Sequence, residues 1–144
     1  MRLLMLGLVA GLAMMAGCSR TPPEQELRRA VADLEQAIES RDVSRLVDGL
    51  SEDFAGVEGM DRQQARRLAQ GMFLRHPTIS INTGPMTIQL QDQRASIEFV
   101  ASVAGGSGAM LPDSMQMYRV KTGWRREGSQ WRLVGAQWTP ELSR

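Results

Sequence analysis

The chain has 144 residues, with 17 basic and 16 acidic side chains and a single cysteine, Cys18. This length allows one domain with a hydrophobic core of its own. The balance of charge argues against a nucleic-acid-binding protein, which needs a basic face. One cysteine excludes an internal disulfide and a thiolate metal cluster, so packing of the core must stabilise the fold.

Residues 1–17 predict a cleaved secretory signal peptide. Arg2 supplies a positive charge, and residues 3–16 contain no charged side chain. This apolar run is too short to cross a bilayer, which takes about 20 apolar residues. It ends in Met-Ala-Gly-Cys at residues 15–18, which resembles the lipobox of bacterial lipoproteins, with Met15 where leucine is commonest.

The lipoprotein resemblance implies that Cys18 is lipidated and becomes the first residue of the mature chain. Two acyl chains already anchor a protein stably in a membrane. The next residue is Ser19, not the Asp that retains many lipoproteins in the inner membrane. The resemblance therefore predicts a lipid anchor on the periplasmic face of the outer membrane of a Gram-negative bacterium, with residues 18–23 as lipidated cysteine and tether. The alternative is a free cysteine buried in the domain.

Three helices are predicted next. Thr21 is placed to cap the first helix, with Pro22 at its first position. Asp42 and Asp61 are placed to cap the second and the third, and Pro77 ends the third because the residue before a proline avoids the helical region. The first helix should end near Ser40, and its apolar stripe is Leu27, Val31, Leu34, Ala37 and Ile38.

Strands are predicted from Thr78 onward, where the apolar period changes to two. One strand, kinked at Gly84-Pro85, reaches Leu90, and further strands follow at about 97–103, 115–126 and 131–138. Residues 50–56, LSEDFAG, are predicted to be irregular. Helices followed by strands that short turns connect indicate an α+β fold with an antiparallel sheet of about four strands.

The order of these elements, the segment LSEDF and the closing GWRREGSQWRLVGAQW resemble the nuclear transport factor 2-like (SnoaL-like) superfamily over residues 24–139, which leaves a tail at 140–144. The resemblance implies that the helices pack in the concavity of a curved sheet, a cone or cystatin-like roll with an apolar pocket. This superfamily contains isomerases, dehydratases, cyclases, binding proteins and dimerising modules without chemistry. Its fold therefore does not choose a function.

Two sets of candidate site residues follow from the resemblance. Enzymes of the superfamily move protons with a pocket carboxylate, His or Tyr, which makes Tyr118 and His76 the catalytic candidates. Glu98 should point away from the concave face, and Asp113 is explained by its turn. A pocket for a small apolar molecule or lipid tail would be lined by Phe73, Ile88, Ile97, Phe99 and Trp131.

Two further groups of residues are candidate interaction sites. Met110, Met115 and Met117 could suggest copper(I), but no His or Cys stands beside them, so they are interpreted as core fillers. Trp124 and Trp138 are predicted to lie out of phase with Trp131 and Leu133 or near the sheet edge. An exposed tryptophan on the convex side would suit a homodimer that forms through the sheet.

Three functions remain open. The leading hypothesis is a membrane-anchored lipoprotein that acts as a small-molecule-binding or protein-interaction module. The second is an enzyme of the isomerase, dehydratase or cyclase type, and the third is a purely structural dimerising domain. The sequence predicts no cofactor, no metal and no nucleic-acid partner; the expected partners are membrane lipid through Cys18, a small apolar ligand and a second copy of the chain.

Overall fold

The structure is a computed structural model that describes residues 22–106 and 114–141. Predictions that fall on Cys18, Thr21, Met110 and Asp113 lie outside these residues. The elements are α1 (Pro23–Glu39), α2 (Val43–Asp48), β1 (Leu50–Ala55), a short 3-10 helix (Val57–Gly59), α3 (Arg62–Arg75), β2 (Thr78–Thr83), β3 (Thr87–Gln91), β4 (Arg94–Gly106), β5 (Ser114–Glu127) and β6 (Gln130–Pro140).

The helices begin close to the predicted caps. The Asp42 side chain accepts a hydrogen bond from the Arg45 amide at 3.0 Å. Asp61 and Gln64 form a reciprocal capping box, with donor–acceptor distances of 2.7 and 2.8 Å. The prediction for α1 is wrong by one residue, since Pro22 takes the N-cap position without a side-chain hydrogen bond. A proline can follow it because the first turn of a helix does not need the missing N–H.

The predicted α+β class is confirmed, with a sheet that is larger than expected. Six strands form one mixed sheet in the order β1-β6-β5-β4-β2, and β3 also pairs with β4. β1, which was predicted to be irregular, runs parallel to β6. The predicted kinked strand is two strands, β2 and β3, which pair in turn with residues 101–106 and 94–98 of β4. The interruption falls at the predicted kink: the Gly84 amide still donates to the Val100 carbonyl at 2.8 Å, and the register has shifted by one residue at Thr87.

The core lies between α1 and one face of the sheet, called the inner face below; the opposite face is the outer face. Leu27 on α1 and Ile97 on β4 are among the most deeply buried side chains of the described chain. Burial of such a side chain stabilises the fold by about 1.5–3 kcal/mol. The core cluster consists of Leu27, Val31, Leu50, Phe54, Ala95, Ile97, Trp124, Trp131, Leu133 and Ala136.

The predicted phase of Trp124 is wrong. The hairpin between β5 and β6 turns at Gly128, whose φ of 63° suits a glycine, and this turn sets Trp124 directly opposite Leu133. Paired residues of an antiparallel ladder project to the same face. Trp124 therefore lies on the inner face and is only 3% exposed.

Trp138 is also on the inner side, for a different reason. The register between β5 and β6 shifts after Gly123, which pairs with Gly135 while Trp124 pairs with Leu133. One residue of β6, Val134, is thus inserted, and such a bulge reverses the inward phase. Trp138 packs against the core as a result, so the structure does not provide the convex tryptophan expected as a dimer contact.

The outermost strand β2 is held against α1 by two carboxylates. Glu39 Oε1 accepts a hydrogen bond from the Ile81 amide at 2.9 Å, and Glu35 accepts one from the Thr83 hydroxyl. α1 is therefore tied to one edge of the sheet while its apolar stripe covers the inner face.

Among the described helices, none combines the length and the hydropathy that a bilayer span requires.

Candidate functional site

A cleft with a volume of about 450 Å³ opens between α1, the end of α2 and the β5–β6 hairpin. We call it the helix–hairpin cleft. α1 contributes one stripe at helical spacing, the end of α2 forms one wall, and the hairpin forms the other. Its lining is Glu26, Arg29, Ala30, Asp33, Leu34, Arg45, Asp48, Gly49, Trp124, Ser129, Gln130, Trp131 and Arg132.

Gly49 positions the end of α2 against the rest of the cleft. A Cβ atom at this residue would lie 2.4 Å from Leu34 Cδ2, so the α1 side chain packs directly on the bare backbone. The Gly49 carbonyl also accepts a hydrogen bond from the Leu133 amide at 2.9 Å. The end of α2 is thus fixed between α1 and β6, which keeps the wall of the cleft in place.

Two tryptophans contribute to the lining of the cleft. The Trp124 indole N–H donates to Thr122 Oγ1 at 2.9 Å. Trp131 is only 5% exposed, and its Nε1 is buried without a hydrogen-bond partner in the described chain. A buried donor without a partner costs about 1–3 kcal/mol, so this indole N–H is an unsatisfied polar group of the cleft lining.

Charged side chains of both signs surround these indoles. Glu26 Oε2 is buried and lies 2.8 Å from Arg126 Nη1, an ion pair that lacks hydrogen-bond geometry. Asp33 pairs with Arg45 at 3.6 Å. Arg29 has no ion pair with another described residue. The cleft therefore presents both acidic and basic side chains to a ligand.

The five residues predicted to line a pocket are divided by the structure. Trp131 lies in the helix–hairpin cleft. Ile97 belongs to the core cluster, and Ile88 and Phe99 pack against it. Phe73 is buried on α3, outside that cluster. Ile88, Ile97, Phe99 and Trp131 therefore come together in the core, and Trp131 is also part of the cleft lining.

The two catalytic candidates are not brought together. Tyr118 is partly buried and pairs with Ala101 of β4. His76 follows α3 and packs over Gly105, where an added Cβ would lie 2.8 Å from the imidazole Nδ1. Ala101 and Gly105 are about 13 Å apart along the strand at 3.3 Å per residue. Neither candidate lines the helix–hairpin cleft.

Glu98 lies on the outer face, as predicted. Its neighbour Ile97 is buried in the core, and its carboxylate is 3.6 Å from the guanidinium of Arg119. In residues 22–106 and 114–141, no three His, Cys, Asp or Glu side chains gather closely enough to hold a metal ion.

A polar cluster on the outer face was missed by the sequence analysis. Arg125 donates to both oxygens of Asp53 at 2.8 and 3.0 Å and to Glu127 at 2.7 Å. The Ser51 hydroxyl, only 1% exposed, lies 2.7 Å from each carboxylate. We call these four residues the Arg125 cluster. The signal in the sequence is the two-residue spacing of Ser51 and Asp53 and of Arg125 and Glu127, which places each pair on one face of a strand. The first pair was missed because residues 50–56 were predicted to be irregular.

Hydrogen bonds within the Arg125 cluster keep it ionised. Arg125, followed by Ser51, holds the pKa of Asp53 well below its usual range. Ser51, followed by Arg125, lowers the pKa of Glu127, and the two carboxylates raise the pKa of Arg125. Both carboxylates are therefore already engaged as acceptors, which suits a structural connection between β1 and β5 better than proton transfer.

Solved structures share this fold, although no family model and no curated protein matches the sequence. Bd1075 from Bdellovibrio bacteriovorus superposes with a TM-score of 0.73 at 14% identity over 81% of this chain, which spans only 41% of Bd1075. A candidate scytalone dehydratase from Novosphingobium aromaticivorans gives 0.75 at 13% identity, covering 83% of this chain and 84% of that one. A candidate dehydratase of the NTF2-like family from Streptomyces avermitilis gives 0.72 at 15%, covering 83% and 96%. The domain therefore has the nuclear transport factor 2-like fold.

Proposed function

We propose that this protein is a lipoprotein of the outer membrane, facing the periplasm, whose domain binds a small molecule in the helix–hairpin cleft. Residues 1–17 are removed as a signal peptide, Cys18 is acylated, residues 18–23 form the anchor and tether, residues 24–139 form the binding domain and 140–144 a tail. The anchor rests on the apolar run and the lipobox-like end of residues 15–18.

The observation that carries the binding function is the composition of the cleft. Small-molecule sites are clefts of roughly 300–1,000 Å³ with apolar surface and a few polar groups, and the helix–hairpin cleft falls in this range. Trp131 contributes indole surface to the lining, and its buried N–H lacks a partner, so an outward shift of this side chain on ligand binding would gain a hydrogen bond. Arg29 adds a cation that forms no ion pair with a described acid. The ligand class that fits is a small amphipathic molecule with an aromatic or apolar part and an anionic or acceptor group.

The test is native mass spectrometry of the mature acylated protein, purified from its own host. We expect a bound molecule on the wild type and its loss in Arg29→Gln and in Trp131→Phe. The matched controls are Arg28→Gln, the adjacent arginine whose partner is Glu24, and Trp138→Phe, a tryptophan outside the cleft lining. A bare wild-type chain would contradict the proposal, as would a ligand retained equally by all four variants.

The enzyme alternative draws on the candidate dehydratases among the similar structures. Of the three acids in the cleft lining, Asp33 and Asp48 are exposed, whereas Glu26 is partly buried with its Oε2 beside Arg126. The same spectra test a dehydratase, because elimination of water lowers the mass of the captured molecule, whereas an isomerase conserves the mass and its product must be separated by chromatography. Either conversion would have to stop in Glu26→Gln while binding continues.

The dimerising alternative concerns the outer face, where Met115 and Met117 are exposed side by side on β5, so their interpretation as core fillers is wrong. The spectra report the mass of the assembly directly. A dimer without any bound molecule would favour the structural function over the binding function.

A further inference from the structure

Charge is segregated along this chain, although its total is balanced. Residues 62–91 contain four arginines and no Asp or Glu. All four arginines lie on α3, which therefore has no acidic residue of its own. A helix with basic residues and exposed apolar residues is typical of proteins that lie on a membrane surface.

The arginines of α3 divide into two pairs. Arg62 donates to the Val47 carbonyl at 3.0 Å, and it shares a groove with Arg66, Glu52 and Asp61. Arg67 is exposed, and Arg75 folds back along the helix to donate to the Gly71 carbonyl at 3.3 Å. Neither member of this second pair forms an ion pair with a described acid.

Three large apolar side chains are exposed beside the second pair of arginines. Leu74 is 86% exposed, and Leu68 and Met72 are also exposed, one helical turn apart. The buried side of α3 is occupied by Ala69 and Phe73, whereas Leu68 and Met72 keep 41% and 36% of their surface exposed. We call Arg67, Leu68, Met72, Leu74 and Arg75 the α3 outer face.

We propose that the α3 outer face contacts the anionic headgroups of the bilayer in which Cys18 is anchored. This inference rests on the anchor in the proposed function, not on ligand binding in the cleft. Guanidinium groups bind phosphate oxygens as bidentate donors, and leucine and methionine side chains can enter the boundary between headgroups and acyl chains. The segment 18–22 spans at most about 17 Å, so the anchor keeps the domain at the bilayer surface.

The test uses a thiol-reactive, environment-sensitive dye. In the mature acylated protein the Cys18 sulfur is blocked, so a cysteine introduced by Leu74→Cys is the only free thiol. The control label is Ser96→Cys, an exposed residue on the outer face of β4. Both proteins are reconstituted in vesicles of phosphatidylethanolamine with phosphatidylglycerol, and in vesicles of phosphatidylcholine alone.

We expect the dye at residue 74 to gain about twofold or more in emission, with a blue shift, in the anionic vesicles only, because interfacial helices that are basic bind anionic lipid. The gain should be lost in Arg67→Gln/Arg75→Gln. It should persist in Arg28→Gln/Arg94→Gln, which removes the same charge elsewhere. The dye at residue 96 should not change.

A second arm separates failure of this contact from failure of the anchor. Here a hexahistidine replaces Cys18 and the vesicles contain a nickel-chelating lipid, so the domain is held at the surface whether or not the natural chain is acylated. If the dye at residue 74 shows no greater change in emission than the dye at residue 96 in this arm, the proposal is overturned. An acidic protein would then be the alternative partner of the α3 outer face. A gain that is equal in phosphatidylcholine also overturns the proposal, whereas absence of acylation in the purified chain contradicts only the anchor.

Discussion

The two faces of β5 show two different ways of joining the same strand to the rest of the domain. Trp124 projects inward and packs with Leu27 and Trp131 in the core. Its neighbour Arg125 projects outward and connects Asp53 and Glu127 through hydrogen bonds. The inner contact depends on shape and on area removed from water, which salt hardly changes. The outer contact depends on ionisation in a partly exposed position, where salt and acid both weaken it.

The largest expected effect is on the inner face. Trp124→Ala should lower the free energy of unfolding by about 3–5 kcal/mol, because it removes transfer energy and leaves a cavity. Urea unfolding followed by far-UV circular dichroism measures this change. Trp124→Phe, which keeps most of the volume, should lose much less, and Leu74→Ala should stay within about 0.5 kcal/mol because that side chain is exposed. Equal losses in all three variants would mean that Trp124 is not a core residue.

A smaller effect is expected on the outer face. Arg125→Gln leaves Asp53 and Glu127 without their shared cation, so the urea midpoint should fall at low ionic strength. The deficit should be smaller than that of Trp124→Ala and should shrink in about 1 M salt, where the Debye length is about 3 Å. Arg28→Gln, which breaks an exposed pair on α1, is the matched control. A deficit that salt does not change would indicate lost packing in place of lost charge.

The smallest effect is the pH-dependent part of that deficit. The folded pKa values of Asp53 and Glu127 lie below their unfolded values, so their contribution is complete above the unfolded pKa and is lost as the pH falls through the folded pKa. The difference in urea midpoint between wild type and Arg125→Gln should therefore be constant near neutrality and decline below about pH 4. A difference that grows in acid would show that these carboxylates are not stabilised by Arg125.

The elements that the sequence predicts well are those with local signals. Asp42 and Asp61 cap their helices because each side chain accepts a hydrogen bond from the backbone amide three residues further on. Pro77 ends α3 because a proline sterically excludes the helical conformation of the residue before it. β1 has no such signal. Its partner β6 is far along the chain, and its buried residues do not alternate, since both Leu50 and Ser51 are buried. Parallel pairing of distant segments cannot be inferred from a period of two.

The candidate site was harder to predict than the fold, because it depends on register. Trp131 was predicted to be a lining residue, and it lies in the helix–hairpin cleft. Trp124 joins it only because the hairpin sets Trp124 opposite Leu133, and Trp138 turns inward only because Val134 is inserted. Alternation of residues along the sequence reveals neither the pairing of Trp124 with Leu133 nor the insertion of Val134, since a shift of one residue exchanges the two faces of a strand.

The two carboxylates of α1 that hold β2 also affect how two copies of the domain can meet. An outermost strand normally presents unpaired amides on which a foreign strand can grow, which is how sheets template aggregation. Here the Ile81 amide is already occupied by Glu39, so an incoming strand would have to displace a helix side chain before it could extend the ladder. This contact therefore opposes edge-to-edge pairing of two domains at the middle of β2.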